Sequence, residues 1–451
     1  MKSVAVIGAG VTGLTAAFWL KRNGIPAIVY EAAGRPGGVI QSVRKDGFLA
    51  ESGPNTLLET APEIVQLVRD LNLEPRRLYT HPDAEARFVV RAKRPVAMPS
   101  SPPGIFLSSL LTVGGKFALL REPFIPPRRD GAEETVAEFV SRRLNREFLD
   151  RLVDALVAGI YAGDPHKLSV QHALPRLAQL ETRYGSLIKG QILGARERKK
   201  SAQVARDRAP KFSFNEGLQV LPDTLAAQLE VKFNTPVTGL AKVGNTWRLA
   251  TPNGDIEHAA VIYCGTAYRL AELQITAEKP VDVSLFSEIH YASVAGVVLG
   301  FRREDVTHPC QGFGMLIPRI EGFKILGTIF SSALFPNRAP AGHLLLSSYV
   351  GGERYPELAA LAPDDLVNVA CHDLAALLGV RGKPVFVHTA LYPRAIPQYN
   401  LGYGKFKNRM NEIESTAPGL FFAGHFRDGV SLGDSIVSAC NTAGRVKNFL
   451  S

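Results

Sequence analysis

An apolar strand, a GxGxxG turn and a helix at the amino terminus, answered at the carboxy terminus by a strand, a polar glycine loop and a second helix, predict an α/β fold, α+β overall. The dinucleotide-binding part is Rossmann-like. At 451 residues the chain is about three domain-lengths of ~150 residues each. A content of 46% hydrophobic and 21% charged residues excludes a disordered chain. Cys264, Cys310, Cys371 and Cys440 lie far apart without a CxxC, so neither a disulfide framework nor a cysteine zinc site is expected, and no metal site is assigned. Met1 and Lys2 lead straight into SVAVIGAG without the features of a signal or transit peptide, which points to a cytoplasmic protein.

The first unit is the most informative. Ser3 to Ile7 read as a buried strand, GAGVTG as the turn, and LTAAFWLKRNG as a helix with Leu14, Ala17, Phe18 and Trp19 at helical spacing. PAIVYE closes the unit at Glu31. In this context Gly8 permits the tight turn, Gly10 lets the backbone approach a pyrophosphate, and Gly13 allows close helix-to-strand packing. The helix N-terminus favours the anion. Glu31, at the strand end, can accept from both hydroxyls of an adenosine ribose and would repel a 2′-phosphate, so FAD or NAD is favoured over NADP. The alternative is a set of turn glycines with a surface Glu31. The continuation EAAGRPGGVIQS favours FAD: Gly37 and Gly38 can bring a second stretch of backbone against the pyrophosphate and leave Arg35 near the phosphates. ESGPN, Glu51 to Asn55, adds a polar turn close to that channel.

The closing segment GLFFAGHFRDGVSLGDSIVSACNTAGRVKNFL reads as a strand over Leu420 to Ala423, then Gly424, a loop with Asp428, Gly429 and Asp434, and a helix beginning near Ser435. Such a pair places a carboxylate against a ribityl chain and a helix N-terminus, assigned to Gly433 to Ser435, against the flavin O2 carbonyl, where negative charge grows on reduction.

The net charge of +10 is concentrated in two segments: eight Lys/Arg against one acid from Arg87 to Arg129, and seven against two from Arg196 to Lys211. Anionic lipid, nucleic acid or a polyanionic small molecule could answer such surfaces. The basic residues lack interleaved aromatics and no zinc finger or RRM signature occurs, so nucleic acid is not expected as a partner. The apolar run PGIFLSSLLTVGGKFALL, 103–120, is too short and interrupted to span a membrane; the proline-bounded stretch 99–127 around it reads as a monotopic anchor or as a core helix pair covering the active site.

Taken together, GxGxxG, Glu31, RxGG and AG…GVSLGDS resemble the FAD-dependent amine oxidase superfamily, and AGIYAGDPHKLSV, SFNEGLQVLPDTLAAQL, GFGMLIP, LGTIFSSALFPNRAP and AIPQYNLGY resemble, in order and spacing, its oxygen-dependent protoporphyrinogen/coproporphyrinogen oxidases. The resemblance spans nearly the whole chain. It implies a FAD-binding domain of the glutathione-reductase/amine-oxidase type made of 1–80, 205–265 and 410–451, a helical membrane-associating domain over 85–205, and a mixed-sheet substrate domain over 266–409. In the second of these, Val136, Phe139, Val140, Phe148, Leu152 and Leu156 fall at helical spacing.

The implied chemistry is oxidation of protoporphyrinogen IX by O2, six electrons in three hydride equivalents through flavin N5, within heme biosynthesis. Coproporphyrinogen III oxidation, an amine-oxidase or phytoene-desaturase activity, and a nonenzymatic binding role as in Rab GDP-dissociation inhibitors are the alternatives. FAD is expected to be noncovalent, held by Gly8, Gly10, Gly13, Glu31, Arg35, Gly37, Gly38, Val237 at the adenine edge, Gly424, Asp428, Gly429, Val430 and Ser431. Arg87 aligns with the arginine that pairs with a substrate carboxylate and Gly159 with a residue lining the pocket beside the isoalloxazine ring; their plainer readings are a surface arginine and a helical-turn glycine. No catalytic side chain is assigned. His425 stands where many members carry Asn and is read as a loop residue near the flavin rather than an acid or base, while Tyr392 and Tyr403 are the candidates for an amine-oxidase cage. The expected partners are the porphyrinogen, O2 and the anionic face of the cytoplasmic membrane, to which the protein would bind peripherally; a homodimer and a downstream chelatase are further partners compatible with the family.

Overall fold

The computed structural model describes residues 3–99, 104, 107–198 and 209–451. A five-stranded parallel sheet takes its strands from three distant parts of the chain, in the order Glu230–Lys232, Ala27–Tyr30, Val4–Ile7, Ala260–Tyr263 and Leu420–Phe422. Val4–Ile7 is buried along its whole length, as the unbroken apolar run of a strand covered on both faces requires. Val4, Val6, Ala260 and Ile262 join the core beneath the helices Val11–Arg22 and Leu432–Leu450. Ala5, Ile7, Val261, Tyr263, Leu420 and Phe422 turn to a second core on the opposite face.

A seven-stranded mixed sheet forms the other large body, in the order Phe386–Pro397, Tyr291–Arg302, His343–Gly351, Ile325–Ile329, Gly314–Leu316, Arg87–Arg91 and Arg94–Ala97. The helix Pro363–Leu378 covers one of its faces. Three strands depart from the segmentation expected of the sequence. The 87–97 hairpin, expected in the helical part, is held to this sheet by parallel pairing of Arg87, Phe88 and Val89 with Gly314, Met315 and Leu316. Likewise Gln274–Thr276, expected beyond the cofactor-binding segment, pairs with Gly239–Ala241 of a four-stranded sheet.

The helix Val136–Arg143 opens on a capping box between Thr135 and Glu138 and buries Val136, Phe139 and Val140. Its apolar phase does not continue. The chain restarts at an Asn145 cap, passes through a π-helical turn at Leu149–Val153 and only then enters the helix Asp154–Tyr161. A π turn holds more residues than an α turn and rotates the following face. Leu156 is consequently 40% exposed instead of buried, while Phe148 keeps its place in the core.

Among the described residues no helix is long and apolar enough to cross a membrane. Residues 100–103 and 105–106 of the apolar stretch, and 199–208 of the second basic segment, lie outside the described residues. What is described of the apolar stretch is largely uncovered: Leu107 is 88% exposed and Phe124 82%, with Val113, Phe117 and Leu120 exposed beside them. A core helix pair would bury these side chains. Behind them the fully buried Glu122 and Arg143 pair with each other, and the Glu122 carboxylate also accepts from Ser186 and from the backbone N–H groups of Leu187 and Ile188.

Candidate cofactor and substrate site

The glycine turn is shaped by contacts that leave no room for side chains. Gly8 has φ +103° and lies against the backbone of Cys264, at the end of the neighbouring strand. A Cβ built on Gly13 would fall 1.9 Å from the Gly8 carbonyl oxygen. Gly10 is different: a Cβ there would meet no protein atom within 4 Å. It faces open space at the N-terminus of the helix Val11–Arg22, where no side chain caps the first turn.

The second glycine pair closes on the same point. Gly37 donates its N–H to the Ala9 carbonyl at 2.8 Å and has φ +101°, and a Cβ on Gly38 would come within 3.7 Å of the Gly10 Cα. Two stretches of bare backbone and one uncapped helix end therefore surround a single space, which fits the pyrophosphate of a dinucleotide. Arg35 is turned into its own loop, donating to the carbonyls of Pro36, Gly38 and Ile40, so it shapes this cradle through the backbone.

Glu31 follows directly on the strand Ala27–Tyr30, and its carboxylate accepts from the N–H of Ala9 at 2.6 Å and of Ala33 at 2.8 Å. Each oxygen retains a lone pair for a ribose hydroxyl. The loop carrying Val237 runs alongside: Thr235 donates to the Glu31 carbonyl and Asn234 to that of Ala33. Replacing Glu31 by alanine removes charge-assisted hydrogen bonds worth about 1.5–3 kcal/mol each. Glu31→Ala is expected to purify with most of its flavin lost, measured as the ratio of flavin to protein absorbance; full flavin content would count against the ribose assignment.

The carboxy-terminal loop meets the amino-terminal turn at Gly424, where a Cβ would lie 3.4 Å from the Thr12 hydroxyl. The helix begins at Leu432, three residues before the expected start, because Ser431 caps it: Ser431 Oγ accepts from the Asp434 N–H and Asp434 Oδ2 accepts from the Ser431 N–H. The Ser431 hydroxyl is thus committed to the cap, and the helix end it fixes is the element available to the cofactor. Gly429, at φ +133°, donates its N–H to the Tyr399 hydroxyl, and a side chain there would strike Asp434. Asp428 accepts from Ser438, is 41% exposed, and lies two residues before the partly buried Val430.

His425 makes ring contacts with Tyr291 and Phe426, and its carbonyl accepts from the Tyr399 hydroxyl. Burial pushes its pKa down to about 4, so the imidazole is neutral at physiological pH. Tyr403 is 1% exposed and donates to the Phe426 carbonyl, which makes it a core residue rather than a cage wall. Tyr392 remains partly exposed on the strand Phe386–Pro397.

The ESGPN turn joins the two bodies. Glu51 is buried, accepts from Ser42 and from the Leu218 N–H, and is pushed up to about 7 by burial. Ser52 bonds His388 at 2.8 Å and Asn55 donates to the Tyr349 hydroxyl at 2.6 Å, both on strands of the seven-stranded sheet. Nothing local in the sequence identifies Ser42, His388 or Tyr349; their partners are distant in the chain.

On the same sheet Arg87 is partly exposed, with its guanidinium 5.7 Å from the Phe313 ring centroid and no carboxylate among the described residues paired to it. Gly159 is exposed on the helix Asp154–Tyr161, and the atoms nearest to a Cβ there all belong to the Leu316 side chain, the closest at 2.6 Å. Ala158 and Ala162 of that segment pack with Ala292, Val294 and Leu326 of the sheet.

Residues 11–447 match the family model described as flavin containing amine oxidoreductase. The chain is 36% identical to protoporphyrinogen oxidase 2, chloroplastic/mitochondrial, of Arabidopsis thaliana, with 100% of this chain and 94% of the relative aligned. It is 30% identical to coproporphyrinogen III oxidase of Bacillus subtilis (strain 168), over 96% of each. A crystal structure from Exiguobacterium sp. 255-15, assigned as a candidate protoporphyrinogen oxidase, superimposes with a TM-score of 0.82 at 22% identity and covers 99% of both chains.

Proposed function

Because the chain belongs to the flavin-containing amine oxidoreductases, and among them to the protoporphyrinogen/coproporphyrinogen oxidases, we propose that it oxidises protoporphyrinogen IX to protoporphyrin IX with O2 as the final acceptor. The enzyme is an oxidoreductase and its cofactor is FAD. When bound, FAD would supply the hydride acceptor for oxidation of the macrocycle, and the proposed six-electron reaction with O2 balances as three O2 consumed and three H2O2 formed.

The observation that carries the reading is the backbone cradle at Gly10 and Gly38, with the carboxy-terminal loop against Thr12 at Gly424, found in a chain similar along its full length to enzymes named for this reaction. The protein's own work is positional. Gly10 and Gly38 present backbone to the pyrophosphate in a turn that Gly8, Gly13 and Gly37 shape; Glu31 and the Val237 loop hold the adenosine end; Gly424, Asp428, Gly429, Val430 and Ser431 with the helix end hold the ribityl and flavin end. Gly159 and Leu316 form a wall without bulk for a flat macrocycle, and Arg87 meets a propionate. The neutral, partly exposed His425 adds no charge to the site.

Coproporphyrinogen III oxidation is the second reading, favoured by the similarity to the Bacillus subtilis enzyme. Aerobic incubation of the purified yellow protein with each porphyrinogen, following porphyrin fluorescence and peroxide, separates the two. Formation of neither porphyrin overturns the proposal. Arg87→Ala is expected to raise KM for the porphyrinogen by about tenfold or more, the loss of one charge-assisted contact, with flavin content unchanged. An unchanged KM would remove Arg87 from the site.

The exposed Leu107, Val113, Phe117, Leu120 and Phe124, with Lys116 and Arg121 among them, support peripheral docking on an anionic leaflet. Wild-type protein is expected to co-sediment with phosphatidylserine-containing vesicles and Phe117→Glu/Phe124→Glu protein to stay in the supernatant. Equal sedimentation of the two would refute the docking surface.

A further inference from the structure

The helix that carries Gly159 is tied to the substrate sheet by a buried ionic clamp that the reaction does not itself require. Asp154, at the start of that helix, has a side chain only 8% exposed, and that of Arg354, just beyond the strand His343–Gly351, is 3% exposed. Arg354 donates to Asp154 Oδ2 at 2.9 Å and to the Ile317 carbonyl at 2.8 Å. The same carboxylate oxygen accepts from the backbone N–H of Arg319 at 2.7 Å. The Arg319 side chain reaches Asp154 at 3.8 Å and Asp164 at 3.5 Å.

These bonds fall on Ile317 and Arg319, directly after Leu316, whose side chain stands against Gly159. At the far end of the helix, Glu353 donates its N–H to the Ala162 carbonyl at 2.7 Å, next to Arg354 in the chain. The segment 353–354 therefore fixes both ends of one helix, and the exposed Gly159 lies between the fixed points. Buried ion pairs contribute little net stability against an apolar replacement, because each charge loses its hydration. Their directional bonds do fix geometry.

We propose that Asp154 and Arg354 are positioning residues that hold Gly159 against the Leu316 side chain, and so fix the wall that the macrocycle meets. The inference rests on the porphyrinogen reading above. A wall that is held too loosely loses substrate orientation while leaving the cofactor cradle untouched.

The test uses full-length holoenzyme carrying Asp154→Asn, Arg354→Met, Arg354→Lys, or Asp154→Leu with Arg354→Met, each assayed for flavin content, Tm, and KM and kcat with protoporphyrinogen IX and coproporphyrinogen III under air. Asp154→Asn keeps the size and an acceptor oxygen, so it is expected to fold. KM should rise about tenfold in Asp154→Asn and Arg354→Met at unchanged flavin content, with kcat within about twofold and Arg354→Lys intermediate. The double variant, which leaves neither charge of the Asp154–Arg354 pair without its counterion, should recover part of the lost Tm but not KM. Unchanged KM in Asp154→Asn, or a KM in the double variant that recovers together with Tm, would overturn the positioning role. Wild-type protein that turns over neither porphyrinogen would overturn the functional reading, and this inference with it.

Discussion

Gly13→Ala protein will purify without flavin. The added Cβ would sit 1.9 Å from the Gly8 carbonyl oxygen, a backbone atom, far inside the 3.0 Å that real Cβ contacts respect. Relief requires moving the helix Val11–Arg22 away from the strand Val4–Ile7, and both are packed in the core beneath the parallel sheet. The same movement displaces the uncapped helix end from Gly37 and Gly38, so the cradle opens. Flavin occupancy is expected to fall below about a tenth of wild type, and overpacking of this kind costs ~1–3 kcal/mol or more of stability. Gly10→Ala supplies the contrast. Its Cβ meets no protein atom, so that variant should fold with wild-type Tm and lose affinity only for the dinucleotide. Flavin content and Tm measured on both separate a packing glycine from a ligand-facing one; equal Tm for the two would contradict the assignment.

Gly159→Leu is expected to have the opposite signature, a yellow, stable and inactive protein. The atoms nearest to a Cβ at this position are the tip of the Leu316 side chain, which can swing, and the residue is exposed on its helix. Additional carbons would stand on the exposed face proposed to receive the macrocycle rather than in the core. Flavin content should stay at the wild-type level and Tm within a few degrees, while kcat/KM for protoporphyrinogen IX falls at least about a hundredfold, or ~2.7 kcal/mol of transition-state stabilisation. Retained turnover would place the macrocycle elsewhere.

The parts of the site that are legible in the sequence are those whose chemistry is local. The glycine spacing, the strand on either side and Glu31 all lie within one βαβ unit, and each residue type is dictated by a backbone approach. The closing strand and helix are readable from their residues, yet that helix starts ahead of its expected position, although S-x-x-D at Ser431 to Asp434 is a capping signal. Other features depend on partners far along the chain. Arg87 pairs in register with Gly314, and Asp154 meets Arg354 across 200 residues, contacts that no periodicity encodes. Leu156 is lost from the core because one π turn rotates the helix face after Val153, and a π turn has no short sequence signature comparable to a glycine or a cap.

Whether the flavin of this protein takes its electrons from a porphyrinogen is read by mixing the yellow holoenzyme with protoporphyrinogen IX in the absence of O2 and following the flavin absorbance band in a stopped-flow cell. The band is expected to bleach as porphyrin fluorescence appears, and to return, with release of H2O2, when air is admitted. A band that stays oxidised in the presence of both protoporphyrinogen IX and coproporphyrinogen III would refute porphyrinogen oxidation by this enzyme.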